Sequence, residues 1–122
     1  MIAHAREEKP HEACGLLAGV NGRVIKHYRG TNADQNRRVR YSMDPLEQLR
    51  AMKEIDDNDW QLLAIYHSHP HSPAYPSPTD VQLAFYPDSI YVIISLADPE
   101  RPVVKAFRIV DGIISEEGIE VR

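Results

Sequence analysis

Residues 61–70 read QLLAIYHSHP, an apolar run that ends in two histidines and a proline. The apolar side chains of 61–67 occur on both faces of an extended chain, which predicts a buried strand. Three prolines fall within 68–76, so this stretch is predicted to be irregular. We therefore predict a central strand that places polar side chains at its end.

Outward from this strand, turn signals separate the chain into short elements. The pairs Asn21-Gly22 and Asp111-Gly112 each stand between two apolar runs, which is the strongest short-range signal for a β-hairpin. Asp44 followed by a proline predicts the start of a helix. The apolar stripe predicted for that helix consists of Leu46, Leu49, Met52 and Ile55.

These signals together predict the fold class. Strands are expected over 14–20, 23–29, 61–67, 90–96, 103–110 and 113–121, a short edge strand over 39–43, and helices over 2–9, 44–57 and 77–86. We predict an α/β domain with a mixed, mostly antiparallel sheet and short flanking helices. Its exposed sheet edges favour a homodimer.

The composition is that of an ordinary small globular domain. The chain has 122 residues, of which 43% are hydrophobic and 26% charged, which predicts one domain over 1–122. No apolar run is long enough to cross a bilayer, and charged residues precede any stretch that resembles a signal peptide. The single cysteine, Cys14, fits a reducing compartment, so a cytoplasmic location is expected. The net charge of −4 gives no global attraction to nucleic acid or to a membrane.

The chemistry is concentrated after the central strand. His67 and His69 are two residues apart in an extended segment, so both side chains point to the same side. Two imidazoles aimed at one point make half of a zinc site. Asp80 is a candidate third ligand, because the intervening loop can fold the next helix back toward the histidines. Three protein ligands leave a position for water, whose pKa then falls to about 7.

Amide hydrolysis also requires an acid/base that is not a metal ligand and a donor to the developing oxyanion. Glu12 precedes the strand 14–20 and is the candidate acid/base. Ser77 precedes Asp80 by three residues and is a candidate donor. Both have plainer interpretations, because Ser77 and Asp80 also form an ordinary helix cap and Glu12 is also typical of a solvated loop.

This set of residues resembles the JAMM motif of the MPN+ metallopeptidases. That motif is a histidine pair, a gap of seven residues, a serine, a gap of two and an aspartate, as in 67–80 of this chain. The resemblance implies that His67, His69 and Asp80 hold one Zn²⁺ per chain. It also implies that Glu12, which stands before an apolar strand as the family's glutamate does, is the acid/base, and that Ser77 stabilises the tetrahedral intermediate.

The resemblance further implies a single MPN domain that hydrolyses a peptide or isopeptide bond at the C-terminal tail of a ubiquitin-like protein. Family members usually have a strand and most of a helix before the position of Met1, which implies that the N-terminus here is truncated or its helix short. The stretch after Asp80 has no insertions and is similar to that of small prokaryotic members, some of which act on sulfur-carrier proteins.

Other interpretations remain at this point. The fold could serve as a non-catalytic MPN-type binding module. A zinc-dependent nucleobase deaminase is disfavoured, because its paired thiolate ligands cannot come from one cysteine. Cys14 is either a nucleophile or, as we expect, a small buried side chain.

Several histidines and arginines have no assigned role. His71 is either a third imidazole ligand or, as Pro70 favours, a solvated loop residue. The basic residues near the predicted edge strand are either a solvated face or a contact for acidic groups on a partner whose tail pairs with that edge. These residues are Arg37, Arg38 and Arg40. The remaining histidines, expected at the surface, are His4, His11 and His27.

Overall fold

A six-stranded sheet with three helices accounts for the regular structure of residues 1–118, which a computed structural model of the protein describes. The elements in chain order are α1 (Ile2–Glu8), β1 (Cys14–Val20), β2 (Arg23–Gly30), α2 (Pro45–Asp57), β3 (Gln61–His69), α3 (Pro78–Gln82), β4 (Ile90–Ser95), β5 (Val103–Val110) and β6 (Ile113–Glu117). The strand order is β2-β1-β3-β4-β5-β6, and only β3 and β4 are parallel neighbours. The predicted fold class is confirmed.

The two predicted hairpins form around residues with positive φ. Asn21 and Gly22 have φ of 53° and 75°, and Asp111 and Gly112 have φ of 51° and 78°. Two consecutive residues with positive φ match the twist of antiparallel strands, which is why these residue types are favoured there. Positions 119–121 of the predicted last strand lie outside the described residues.

The sheet buries apolar side chains on both faces. Leu17 and Tyr66 pack in one cluster with Ala5 of α1, whereas Leu16 packs in another with Ala51 of α2. Because neighbouring residues of a strand point to opposite faces, α1 and α2 cover opposite sides of the sheet.

Within residues 1–118, no helix combines the length and the apolar character needed to cross a membrane.

The strand predicted over 39–43 does not form. The segment makes only an isolated bridge between Met43 and Asn32, and the backbone N–H groups of residues 39 and 40 both donate to the carbonyl of Asn36. Among residues 1–118 no strand pairs with this segment beyond that bridge, so its apolar and polar alternation has no ladder to join. It forms a turn-rich crossing over the end of the sheet.

The boundaries around the histidine pair also differ from the prediction. β3 continues to His69, because its parallel pairing with β4 extends to His69 opposite Ser95. The irregular stretch predicted over 68–76 therefore begins only after His69. α3 ends at Gln82 instead of near 86, and Phe85 beyond it is 72% exposed.

α2 presents a different stripe from the predicted one. Ala51 and Ile55 are buried, whereas Leu46 and Leu49 are 53% and 66% exposed. Glu54 accepts hydrogen bonds from two side chains of β2, which fixes the rotation of the helix over the sheet edge. The prediction of buried leucines at 46 and 49 was wrong because it came from periodicity without this contact.

Candidate metal centre

Two imidazole rings meet at the end of β3. His67 and His69 lie on the face of the sheet that α2 covers, and their Nε2 atoms are 3.1 Å apart. Both residues are almost completely buried. The period-two geometry of a strand therefore aims both rings at one point, as predicted.

Asp80 reaches the same point from the first turn of α3. Its Oδ2 atom is 3.1 Å from Nε2 of His67 and 3.0 Å from Nε2 of His69. Ser77 is the N-cap of α3: its Oγ accepts from the N–H of Asp80 at 3.1 Å, and its own N–H donates to Asp80 Oδ2 at 2.9 Å. This capping box orients the carboxylate toward the histidines. The carboxylate that completes the capping box is thus also the candidate ligand.

All three converging atoms are of kinds that bind metal ions. The Nδ1 atom of His69 lies 2.9 Å from the carbonyl of Pro73, which only accepts, so in the neutral ring Nδ1 carries the proton and Nε2 has a free lone pair. The nearest atoms of His67, His69 and Asp80 form a triangle with sides of 3.0–3.1 Å. Tetrahedral zinc ligands at about 2.0–2.1 Å from the metal lie about 3.3 Å apart, so the residues fit a zinc ion.

The electrostatics of this triangle are those of a site that attracts a cation. Burial favours the neutral form of Asp80, but its hydrogen bonds with His67 and His69 outweigh burial and hold the pKa of that carboxyl well below its usual range. Burial lowers the pKa of His67. Burial opposes protonation of His69 as well, yet its hydrogen bonds with Asp80 and Pro73 raise its pKa. An ionised carboxylate thus lies in a buried position beside an imidazole that burial keeps neutral.

Glu12 lies beside the histidine pair. Its carboxylate and the two rings offer ligand atoms that are all within 4.8 Å of one another. Glu12 is 4% exposed, and its Oε1 atom has no hydrogen-bond partner among residues 1–118. Burial raises the pKa of Glu12 to about 8, against the opposing effect of His69. Asp80, at 3.0–3.1 Å from both rings, is the better candidate for the third ligand.

The register of β1 against β3 brings Glu12 to this place. Cys14 lies opposite His67 in the antiparallel ladder. Just beyond it, the N–H of Ala13 donates to Oγ of Ser68 at 2.7 Å, and the N–H of Ser68 donates to the carbonyl of Ala13 at 3.0 Å. Ser68, which lies between the two histidines, therefore fixes the position of Ala13, the residue that follows Glu12.

Tyr41 closes one side of the site. Its ring stacks on that of His67, with centroids 4.4 Å apart and planes 18° from parallel. The Nδ1 atom of His67 has no hydrogen-bond partner within residues 1–118. Together with Glu12 Oε1, it is one of two unpaired buried side-chain atoms in this part of the chain, and both lie in this site. Unpaired buried polar groups are rare, so their concentration here indicates a functional site.

Other residues singled out in the sequence lie outside this cluster. His71 is exposed, and Cys14 is buried, as expected, with burial raising the pKa of its thiol to about 12. The surface position predicted for His4 was wrong: it is 3% exposed, and its Nδ1 atom is 2.7 Å from the hydroxyl of Tyr66. The buried phenol needs a polar partner, and the packing of α1 supplies it.

Sequence reasoning missed two residues of the site. Tyr41 lies in a segment predicted as a strand, and Asn32 lies in a predicted loop, where an asparagine is typical of a turn. Asn32 is buried and hydrogen-bonded to the backbone of Glu12. The basic residues of the same segment, Arg37, Arg38 and Arg40, are exposed, and within residues 1–118 none of them forms an ion pair.

Comparison with known proteins defines the class. The family described as prokaryotic homologs of the JAB domain matches residues 1–110, and the chain belongs to this family. The resemblance recognised in residues 67–80 is therefore confirmed at the level of the family.

Individual relatives share most of this chain. It is 46% identical over 123 residues to the CysO-cysteine peptidase of Mycobacterium tuberculosis. The aligned region covers 99% of this chain and 84% of that protein. It is 35% identical over 101 residues to the desampylase of Haloferax volcanii, with 78% and 73% covered. A protein of Desulfitobacterium hafniense with a solution structure is 46% identical, with a TM-score of 0.87 over 100% of this chain and 86% of that one.

Proposed function

We propose that this protein is a zinc-dependent peptidase that cleaves a peptide or isopeptide bond at the C-terminal tail of a ubiquitin-like or sulfur-carrier protein. The observation that carries the proposal is the convergence of two imidazole nitrogens and a carboxylate oxygen, 3.0–3.1 Å from one another, beside a buried carboxyl group. Membership of the JAB family and the peptidase names of the relatives support the same reaction class.

In this proposal His67, His69 and Asp80 hold the zinc ion. Bound zinc supplies a water molecule whose pKa is lowered from about 15.7 to about 7, and it polarises the scissile carbonyl. The Nδ1–H bond of His69 to Pro73 keeps the lone pair of Nε2 directed at the ligand position. The capping box with Ser77 does the same for Asp80 Oδ2.

Glu12 moves the proton. Its carboxylate takes the proton from the attacking water, and the resulting carboxylic acid donates it to the leaving amine. The pKa of about 8 in the buried site makes the protonated form accessible at neutral pH. Ser77 supplies the oxyanion donor, because its Oγ accepts from the N–H of Asp80 and its hydroxyl proton is still available to donate.

The segment 37–40 contacts the substrate in this proposal. Its three arginines are exposed at the turn-rich crossing beside the site, and within residues 1–118 no carboxylate neutralises them. A chain with a net charge of −4 that keeps a cationic segment at its site is suited to a partner with acidic groups.

The single buried cysteine, Cys14, favours action in the cytoplasm.

The test compares the zinc-loaded protein with two variants on a ubiquitin-like carrier protein extended by one residue at its C-terminus. Glu12→Gln should keep its zinc and lose about 10²–10⁴-fold in kcat, because the proton carrier is removed and the ligands stay. His71→Ala, the matched control, changes an exposed residue of the neighbouring loop and should behave like the wild type.

Three results are decisive. Wild-type turnover in Glu12→Gln at equal zinc content would refute the acid/base role. A wild type that holds zinc and binds carrier proteins without cleaving peptide or isopeptide adducts would instead make the protein a binding module. Equal losses in both variants would show that the loop, rather than the carboxyl group, controls the rate.

A further inference from the structure

Asn32 uses every hydrogen-bonding position of its side chain. It is 8% exposed, and its Nδ2 donates to the carbonyls of Glu12 and Arg40, both at 2.9 Å. Its Oδ1 accepts from the N–H groups of Asp34 and Ser42 at 3.0 and 3.1 Å. Two carbonyls on one side and two N–H groups on the other fix the orientation of the amide without ambiguity.

The segment that Asn32 organises also holds Glu12 from its other side. The N–H of Glu12 donates to the carbonyl of Arg37 at 2.6 Å, while its carbonyl accepts from Asn32. Both backbone groups of Glu12 are therefore bound to one stretch of chain, 32–40. The Ser68 contact to Ala13 then fixes the following residue against β3.

We propose that Asn32 is a positioning residue that holds Glu12 at the metal ligands and couples it to the arginine segment 37–40. This inference rests on the proposed function, since it concerns the rate at which Glu12 moves a proton. Asn32 acts only through the backbone of Glu12. A partner that orders the arginines therefore also orders the acid/base, because Asn32 binds the carbonyl of Glu12 and Arg37 binds its N–H group.

The chain offers a matched set of variants. Asn32→Asp keeps the oxygen that accepts two hydrogen bonds and loses both donated bonds, including the one to Glu12. Asn36→Asp makes the same chemical change, with the same added charge, at an exposed asparagine of the same segment. Asn32→Ser adds no charge and retains one hydroxyl donor, so it separates the loss of the donors from the electrostatic effect.

The first readout is steady-state kinetics of the zinc-loaded variants on the extended carrier protein. Asn32→Asp should lose about 10- to 100-fold in kcat, since small misplacement of a catalytic group has effects of that order, with KM within twofold of the wild type. Asn32→Ser should lie between it and the wild type, and Asn36→Asp should match the wild type. A wild-type kcat in Asn32→Asp overturns the inference, as does an equal loss in Asn36→Asp.

The second readout needs no turnover. Amide hydrogen exchange of the Glu12 N–H, measured by NMR, should accelerate at least tenfold in Asn32→Asp and remain unchanged in Asn36→Asp. An unchanged exchange rate in Asn32→Asp refutes the positioning role whatever the activity, and so does a parallel loss of zinc, which would indicate general damage. A wild type without hydrolytic activity would instead refute the proposed function. Failure of the positioning role therefore shows in the Asn32→Asp variant, and failure of the proposed function shows in the wild type.

Discussion

Replacing Glu12 by glutamine should stabilise the metal-free protein at neutral pH, although the proposed mechanism expects the same change to remove turnover. The carboxyl group is 4% exposed, one of its oxygens has no hydrogen-bond partner within residues 1–118, and burial raises its pKa from 4.5 to about 8. The folded protein therefore favours the neutral acid. Glutamine has nearly the same shape and is neutral at every pH.

The sign of the effect follows from proton linkage. A group whose pKa is raised on folding contributes its full stabilisation below pH 4.5 and loses it as the pH rises through 8. The gap between these pKa values corresponds to about 5 kcal/mol once both states are ionised, and to about 3 kcal/mol at pH 7, where mainly the unfolded chain is ionised. Glu12→Gln should exceed the wild type in free energy of unfolding by up to that amount at pH 7.

Urea denaturation of chelator-treated protein at pH 4, 7 and 8 measures this difference. Glu100→Gln, at an exposed position, is the control and should show no pH-dependent gain. The gain of Glu12→Gln should vanish near pH 4 and shrink when zinc is added, because a nearby cation favours the ionised carboxylate. A variant that is less stable than the wild type at pH 8 without metal would refute the assignment of Glu12 as a buried, raised-pKa acid.

Three further outcomes are expected. His69→Ala should lose its zinc at near-normal folding, and full zinc content by elemental analysis would remove that residue from the ligand set. Cys14 should resist iodoacetamide at pH 8 in the native protein and react in denaturant, because burial raises its pKa to about 12; mass spectrometry detects the adduct. Gly15→Ala should cost at least about 1–3 kcal/mol in urea denaturation, since its Cβ would lie 2.3 Å from the ring of Tyr66. Gly118→Ala, with no atom of the described residues within 4 Å of the added Cβ, should be neutral, and equal stability of the two variants would contradict this packing.

Local chemistry made much of this fold predictable. Asn-Gly and Asp-Gly turns determine their hairpins, and Asp44 caps α2 by accepting from the N–H groups of Leu46 and Glu47. The histidine pair could be placed because a strand fixes the direction of alternate side chains. In each case, the cause lies within a few residues of its effect, so the sequence contains it.

The errors concern residues whose surroundings come from distant parts of the chain. The buried His4 forms a hydrogen bond with the hydroxyl of Tyr66, which is 62 residues away in sequence. The 39–43 segment has strand-like alternation, but no strand of the described chain pairs with it beyond one bridge. Asn32 gave only the local signal of a turn residue, which its bond to the N–H of Asp34 fulfils, whereas its bonds to Glu12, Arg40 and Ser42 form only in the folded chain.

The pairing of β1 with β3 has a consequence for how this domain tolerates change. Glu12 and the histidines are brought together by main-chain hydrogen bonds, which every residue except proline can make. Apolar side chains along the two strands can therefore be exchanged widely, provided that their volume is kept. One residue inserted or deleted between Glu12 and Cys14 would instead displace the carboxyl group by a whole step, leaving a folded scaffold without the acid/base that we propose.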